Sequence, residues 1–279
     1  MESIVCPVCF RHCSLQPGQR GACRARENRD GRSVCVNYGL LTSLALDPIE
    51  KKPFAMFHPG TFILSAGSFG CNLRCPFCQN HEISQTDETQ VRTEYFAPEE
   101  IAAEALREKE NGTGCIGVAF TYNEPMVGWE YVRDTAKLVR EKGMLNAVVT
   151  NGSVCACALE EVLPYVDAMN IDLKGYTKEY YDWIGGDLDT VKEFIRTAAA
   201  AGCHIELTTL ILPGRNDSDK EMEALSAFVA SVDPEIPLHV TRSFPRYRTL
   251  DMPAASPASV LRLAAVARRF LPHVFPGNL

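Results

Sequence analysis

The chain lacks any run of about eighteen apolar residues, the length needed for a helix to cross a bilayer, so no membrane-spanning segment is expected. Its start, Met-Glu-Ser-Ile-Val-Cys-Pro, has neither the basic opening nor the apolar stretch of a secretory signal, which points to the cytoplasm. Positive charge is also short: 28 Lys and Arg stand against 35 acids, a net charge of −7, which argues against nucleic-acid binding driven by bulk charge. Internal repeats, low-complexity tracts and heptad runs are absent, which removes solenoids, tethers and coiled coils. A small molecule or a protein is the expected partner.

What the chain has in excess is cysteine. Twelve thiols in 279 residues, in a reducing compartment, are metal ligands or catalytic groups more readily than disulfides. With 46% hydrophobic residues there is material for one sizeable core. From residue 61 onward β-branched or apolar runs alternate with helical patterns, the signature of βαβ units and a parallel sheet. The expected strands are 61–66, 115–121, 145–150, 168–173, 204–211 and 238–243. Pro98 suits the first turn of a helix over 98–110, Ser218-x-x-Glu221 is a capping box, and Ser256-Pro257 opens a last helix. The fold class read from this is α/β, a partial (βα)6 barrel over residues 61–279. Residues 1–60 carry five of the twelve cysteines and no clear periodicity, and form a small Cys-rich N-terminal module.

Directly after the first strand, Gly70-Cys71-Asn72-Leu73-Arg74-Cys75-Pro76-Phe77-Cys78 places three thiols on one tight loop. A [4Fe–4S] cube takes four ligands, one per iron; Cys71, Cys75 and Cys78 supply three, leaving one iron open. An open iron can chelate the amino and carboxylate groups of S-adenosylmethionine (SAM) and deliver an electron to its sulfonium. A zinc knuckle and three unrelated core cysteines are the competing readings, although zinc usually takes four ligands in C-x2-C pairs.

The spacing Cys-x3-Cys-x2-Cys, with aromatic Phe77 before the last thiol, resembles the radical SAM superfamily. Asp47-Pro48-Ile49-Glu50-Lys51-Lys52-Pro53, Gly70-Cys71-Asn72 and Cys78-Gln79-Asn80-His81-Glu82-Ile83-Ser84-Gln85 are similar to the AmmeMemoRadiSam system radical SAM family, relatives of pyruvate formate-lyase activating enzymes. The resemblance implies a TIM-like radical SAM barrel, SAM and a [4Fe–4S] cluster as cofactors, and an electron donor such as flavodoxin or ferredoxin. It puts Phe77 among the cofactor-binding residues and leaves the substrate open between a protein and a small molecule linked to the AMMECR and Memo partners of the family name. Family members continue beyond the Val274–Asn278 segment into further cysteine-containing sequence, so functions housed there lie outside this reading.

In such a barrel the strand ends converge on one face. Tyr122-Asn123-Glu124 stands where the resemblance implies Gly-Gly-Glu, with Asn123 and Glu124 as SAM ligands; Asn-Glu-Pro also reads as a plain helix start. Thr150 and Asn151 are placed to bond the ribose hydroxyls, or to form an ordinary Asn-Gly turn. Strand alternation turns Asn170, Asp172 and Lys174 to one side, and the Asp-Leu-Lys stretch of glycyl-radical activating enzymes implies SAM contact for Asp172 and Lys174; a structural ion pair is the alternative. His239 faces SAM or substrate, or is a satisfied core histidine. Arg242, Arg246 and Arg248 with Phe244 and Tyr247 read as an anion site or a solvated loop.

Cys6-x2-Cys9-x3-Cys13-x9-Cys23 is a second thiol set, sufficient for zinc, for an iron–sulfur cluster, or for none if these are buried free cysteines. Three functions therefore compete: a radical SAM enzyme abstracting hydrogen from an unidentified substrate, a glycyl-radical activating enzyme, and a non-enzymatic zinc-binding scaffold.

Overall fold

A computed structural model describes residues 2–279. Eight strands form one sheet, lying side by side in chain order: Ser43–Pro48 (β1), Phe62–Gly67 (β2), Cys115–Phe120 (β3), Leu145–Thr150 (β4), Ala168–Asp172 (β5), His204–Ile211 (β6), Leu238–Arg242 (β7) and Val274–Gly277 (β8). β2 to β8 are all parallel, and β1 runs antiparallel to β2. Between them come helices Pro98–Glu110 (α1), Trp129–Glu141 (α2), Ala156–Val162 (α3), Lys178–Ile184 (α4), Leu188–Ala200 (α5), Asp219–Val232 (α6) and Pro257–Ala267 (α7). The inner strands are buried nearly throughout, as parallel strands covered by helices on one side and filled on the other must be. The caps read in the sequence are in place: Ser218 Oγ accepts from Glu221 N–H at 3.2 Å and Ser256 Oγ from Ser259 N–H at 3.0 Å.

The sheet exceeds the expected six strands at both ends. β8 is four residues long and contains Pro276, which an edge strand tolerates but which hides it from strand patterning. β1 adds the antiparallel edge, and the segment after it folds beneath the barrel. Residues 43–48 are part of the sheet, and Ile49, Phe54 and Phe57 after them belong to its floor.

Ala119, Ala147 and Ala168 lie in register on three neighbouring strands. These small side chains leave room for Ile49, Phe54 and Phe57, which pack against them with Ile63 and close the lower end of the barrel. Glu206, fully buried on β6, locks this plug: its carboxylate accepts the N–H groups of Ala55 and Met56 at 2.8 Å each.

The module is built from two antiparallel hairpins, Ile4–Val5 with Ser14–Leu15 and Arg26–Arg29 with Arg32–Cys35. It is docked firmly. Arg26, 3% exposed, gives both carboxylate oxygens of Glu130 bonds of 2.6 and 2.7 Å, and the Val8 carbonyl accepts Cys155 N–H at 2.9 Å.

Candidate functional site

The site lies at the carboxyl ends of the parallel strands. After β2 the chain turns at Gly70, whose φ of +87° and whose missing side chain are both required, since a Cβ there would stand 2.6 Å from the Cys23 carbonyl oxygen. The loop that follows holds the three thiols. Cys71 Sγ receives Leu73 N–H at 3.4 Å and the Asn151 carboxamide at 3.5 Å. The Cys75 carbonyl accepts Cys78 N–H at 3.2 Å, Gln85 bonds the Leu73 carbonyl at 3.1 Å, and Arg11 of the module bonds the Asn72 carbonyl at 2.6 Å. A loop held at so many points is pre-set for its ligand.

Burial pushes the Cys75 thiol up to about 12 and raises Cys71 and Cys78 as well; the Glu124 charge adds to the effect at Cys71, while the Lys174 ammonium counters it at Cys75 and Cys78. Free thiolates are disfavoured there, so loading with positively charged iron releases protons and supplies the missing countercharge. Among the described residues no three His, Cys, Asp or Glu side chains close on one point as the ligands of a single ion do. A cube differs, because each thiolate takes its own iron and the sulfurs stand apart.

Asn123, Glu124, Thr150 and Asn151 are brought together, and their bonds are internal. Asn123 accepts Ser68 N–H and donates to the Phe69 and Gly70 carbonyls, each at 3.0 Å, so it pins the three-thiol loop to the end of β2. Glu124, 1% exposed, accepts Thr150 Oγ–H and Asn151 N–H at 2.7 Å and Met126 N–H at 3.0 Å. Burial pushes its carboxyl up to about 7 despite those donors. With all three bonds inside the chain, Glu124 ties the end of β3 to the end of β4 and sets Asn151, which then reaches both Cys71 and, at 2.9 Å, Asn72 Oδ1.

Asp172 and Lys174 form an ion pair of 2.7 Å beside Cys75 and Cys78. Burial works against the Lys174 ammonium, yet the Asp172 carboxylate outweighs it and holds the group charged. Phe77 is buried against Trp183, ring centroids 5.7 Å apart, and Arg215 lies over the other ring of that pair, 4.4 Å from the Trp183 centroid. His239 does not join the group. Its Nε2 is 2.6 Å from Glu206 on the floor of the barrel, its ring stacks on Phe275, and Thr208 bonds Asn170 beside it. In the arginine loop Phe244, Arg246 and Arg248 are exposed, while Arg248 N–H donates to the Pro76 carbonyl at 2.8 Å and Tyr247 stacks on His81 at 4.2 Å, so the backbone of the loop after β7 rests on the three-thiol loop.

Several residues without a role in the sequence reading stand out. Asn72, quoted only as part of a motif, also donates to the Ser153 carbonyl and sits between the module and the rim. Tyr122 keeps a φ of 75°, the left-handed value that glycine would favour at this position. Its side chain holds it there: the hydroxyl donates to Asp47 at 2.6 Å, and the Lys52 ammonium, 3% exposed, lies 4.6 Å from the ring centroid and 2.7 Å from Asp47. Asp47 and Lys52 belong to the motif over 47–53, whose pair of charges was the available signal. The buried hydroxyls of Tyr180 and Tyr181, beside Lys174 and Cys75, have no hydrogen-bond partner among the described residues. Three thiols, an ion pair and unpaired hydroxyls at one strand-end face are a donor set suited to an iron–sulfur cluster with a polar ligand above it.

The sheet and its strand-end face define an α/β barrel with a polar, thiol-bearing rim, and comparison with known proteins gives its class. The Radical SAM superfamily matches residues 67–226, and the chain belongs to that superfamily. It is 39% identical to an uncharacterized protein of Methanocaldococcus jannaschii over 281 aligned positions, covering all of this chain and 82% of that protein. It is 25% identical to the pyruvate formate-lyase 1-activating enzyme of Escherichia coli K12 over 162 residues, 57% of this chain and 65% of the relative. Among solved structures, a radical SAM methyltransferase from Sphaerobacter thermophilus superposes with a TM-score of 0.60 at 16% identity, covering 79% of this chain and 67% of that one, a likeness of fold. The protein is thus a radical SAM enzyme, and the superfamily implies a [4Fe–4S] cluster and SAM.

Proposed function

We propose that the chain cleaves SAM reductively at a [4Fe–4S] cluster held by Cys71, Cys75 and Cys78, and uses the resulting 5′-deoxyadenosyl radical to abstract hydrogen from a substrate. The bound cluster supplies a single low-potential electron and an open iron for the amino acid end of SAM. The observation that carries this reading is the three-thiol loop, anchored by Asn123, Gln85 and Arg11 at the carboxyl end of β2. Asn151 orients and solvates Cys71, and Glu124 acts through Thr150 and Asn151 as a positioning residue. Asp172 and Lys174 offer charges of both signs to a zwitterionic ligand, and Phe77 with Trp183 walls the same face. His239, bonded to Glu206, is left a structural role in this reading.

The motifs over 47–53 and 78–85 support membership of the AmmeMemoRadiSam group within the superfamily. A second reading, activation of a glycyl-radical enzyme, is favoured by the activating enzymes among the relatives, one of which acts, by its name, on pyruvate formate-lyase. The two readings part on the product: an activase leaves a stable glycyl radical on a partner chain, whereas a modifying enzyme leaves a changed substrate. Anaerobic reconstitution followed by reduction with SAM tests the shared step. We expect 5′-deoxyadenosine from the native protein and none from the C71A, C75A and C78A variants; undiminished product in all three contradicts the proposal.

A further inference from the structure

The N-terminal thiols are gathered by the fold. Cys6 N–H bonds the Cys13 carbonyl at 2.9 Å, bringing the two ends of the first hairpin together. The second arm returns through Gly21, whose N–H bonds the Arg26 carbonyl at 2.8 Å, and a Cβ on Gly21 would lie 3.8 Å from both the Cys13 and the Cys23 sulfurs. Cys6 and Cys23 thus lie near Cys9, and Cys13 lies near both Cys9 and Cys23. Cys6, Cys9 and Cys23 are buried, and none of the four is in a disulfide.

The chain is left-handed at His12 and at Arg24, each beside a thiol of the set. Four thiols on two short loops are enough for a cluster with every iron ligated by protein.

The two thiol sets are also joined. Arg11, two residues past Cys9, bonds the Asn72 carbonyl at 2.6 Å, Asn72 Oδ1 accepts from Asn151 at 2.9 Å, and Asn151 lies 3.5 Å from the Cys71 sulfur. We propose that Cys6, Cys9, Cys13 and Cys23 hold a second [4Fe–4S] cluster, fully ligated by protein and linked through Asn72 and Asn151 to the one at Cys71. With every iron occupied it binds no SAM and serves as a one-electron carrier. A low-potential one-electron donor of the ferredoxin or flavodoxin class reduces it from 2+ to 1+, and it returns to 2+ as the barrel cluster takes that electron. The ligand assignment stands by itself; the transfer rests on the function proposed above.

The test is metal and sulfide analysis with electron paramagnetic resonance (EPR) after anaerobic reconstitution with iron and sulfide. Two cubes give about eight irons per native chain, and the C71A/C75A/C78A variant should keep about four irons, about four sulfides and a reduced cluster signal that SAM does not alter. A variant that folds by circular dichroism but carries zinc without sulfide, or no metal, overturns the assignment. Should that variant not fold, C9A/C23A tests the same point: iron should fall by half while a SAM-responsive signal stays, and undiminished iron overturns it. Native protein and triple variant both holding about four irons would sustain this site and instead refute the cluster at Cys71, Cys75 and Cys78.

Discussion

Two glutamates are buried at opposite ends of one barrel, and they are held in opposite ways. On the floor, burial alone would raise Glu206, but the His204 and His239 rings and the N–H groups of Ala55 and Met56 outweigh it and hold the carboxyl at about 2. At the rim, Glu124 accepts three bonds from neutral groups, no cation faces it closely, and burial leaves its carboxyl at about 7. The floor has its carboxylate hydrogen-bonded on both oxygens and its space filled by Phe54 and Phe57. The rim has raised thiols and unpaired Tyr180 and Tyr181 hydroxyls. The difference teaches where work is done: one end is finished by the chain itself, and the other is balanced only when a ligand arrives.

The sharpest way to break this contrast is at the rim thiols. Cys75→Ala removes one of three ligands and should reduce SAM cleavage to background while leaving the apo-protein folded, checked by product chromatography beside circular dichroism. At the floor, Phe54→Ala opens a cavity over the alanine layer and should cost about 3–5 kcal/mol of stability, read from the urea midpoint.

The glutamates give predictions of opposite sign. Glu206 has a folded pKa below its unfolded one, so its contribution is present above about 4.5 and lost as pH falls toward about 2. The shift corresponds to about 3 kcal/mol at 1.36 kcal/mol per pH unit. Urea titrations of native protein and E206Q should thus differ by that order at pH 6 and converge on acidification. Glu124 has a folded pKa above its unfolded one, so its contribution is present below about 4.5 and is lost as pH rises through about 7. Glu124→Gln should remove that dependence from the apo-protein. Its amide nitrogen cannot accept a hydrogen bond, so one of Met126 N–H, Asn151 N–H or Thr150 Oγ–H loses its acceptor, a cost of about 1–3 kcal/mol. Equal pH slopes for E124Q and E206Q would erase the distinction between the two ends.

The sequence made the inner strands legible because parallel strands covered on both faces are plain apolar runs, and each observed boundary from β2 to β7 lies within a residue of the expected one. The edges were not. β1 is a short stretch that ends in Pro48, in a part of the chain without clear periodicity, and β8 is four residues with a proline. That Cys71, Cys75 and Cys78 share one loop is visible in the sequence because their spacing is local, whereas the bonds of Glu124 and His239 depend on which side chains from other strands meet them. Strand alternation could not tell that His239 would face Glu206 rather than the rim, because both directions lie inside the barrel. Asn72 was hidden for the same reason: its partners, Cys9, Ser153 and Asn151, come from distant parts of the chain.

The central claim is that the rim thiols leave one iron for SAM. EPR of the reduced, reconstituted protein tests it directly: adding SAM should change the shape and position of the cluster signal in the native protein, and that response should vanish in C71A/C75A/C78A. A native signal indifferent to saturating SAM would contradict the account.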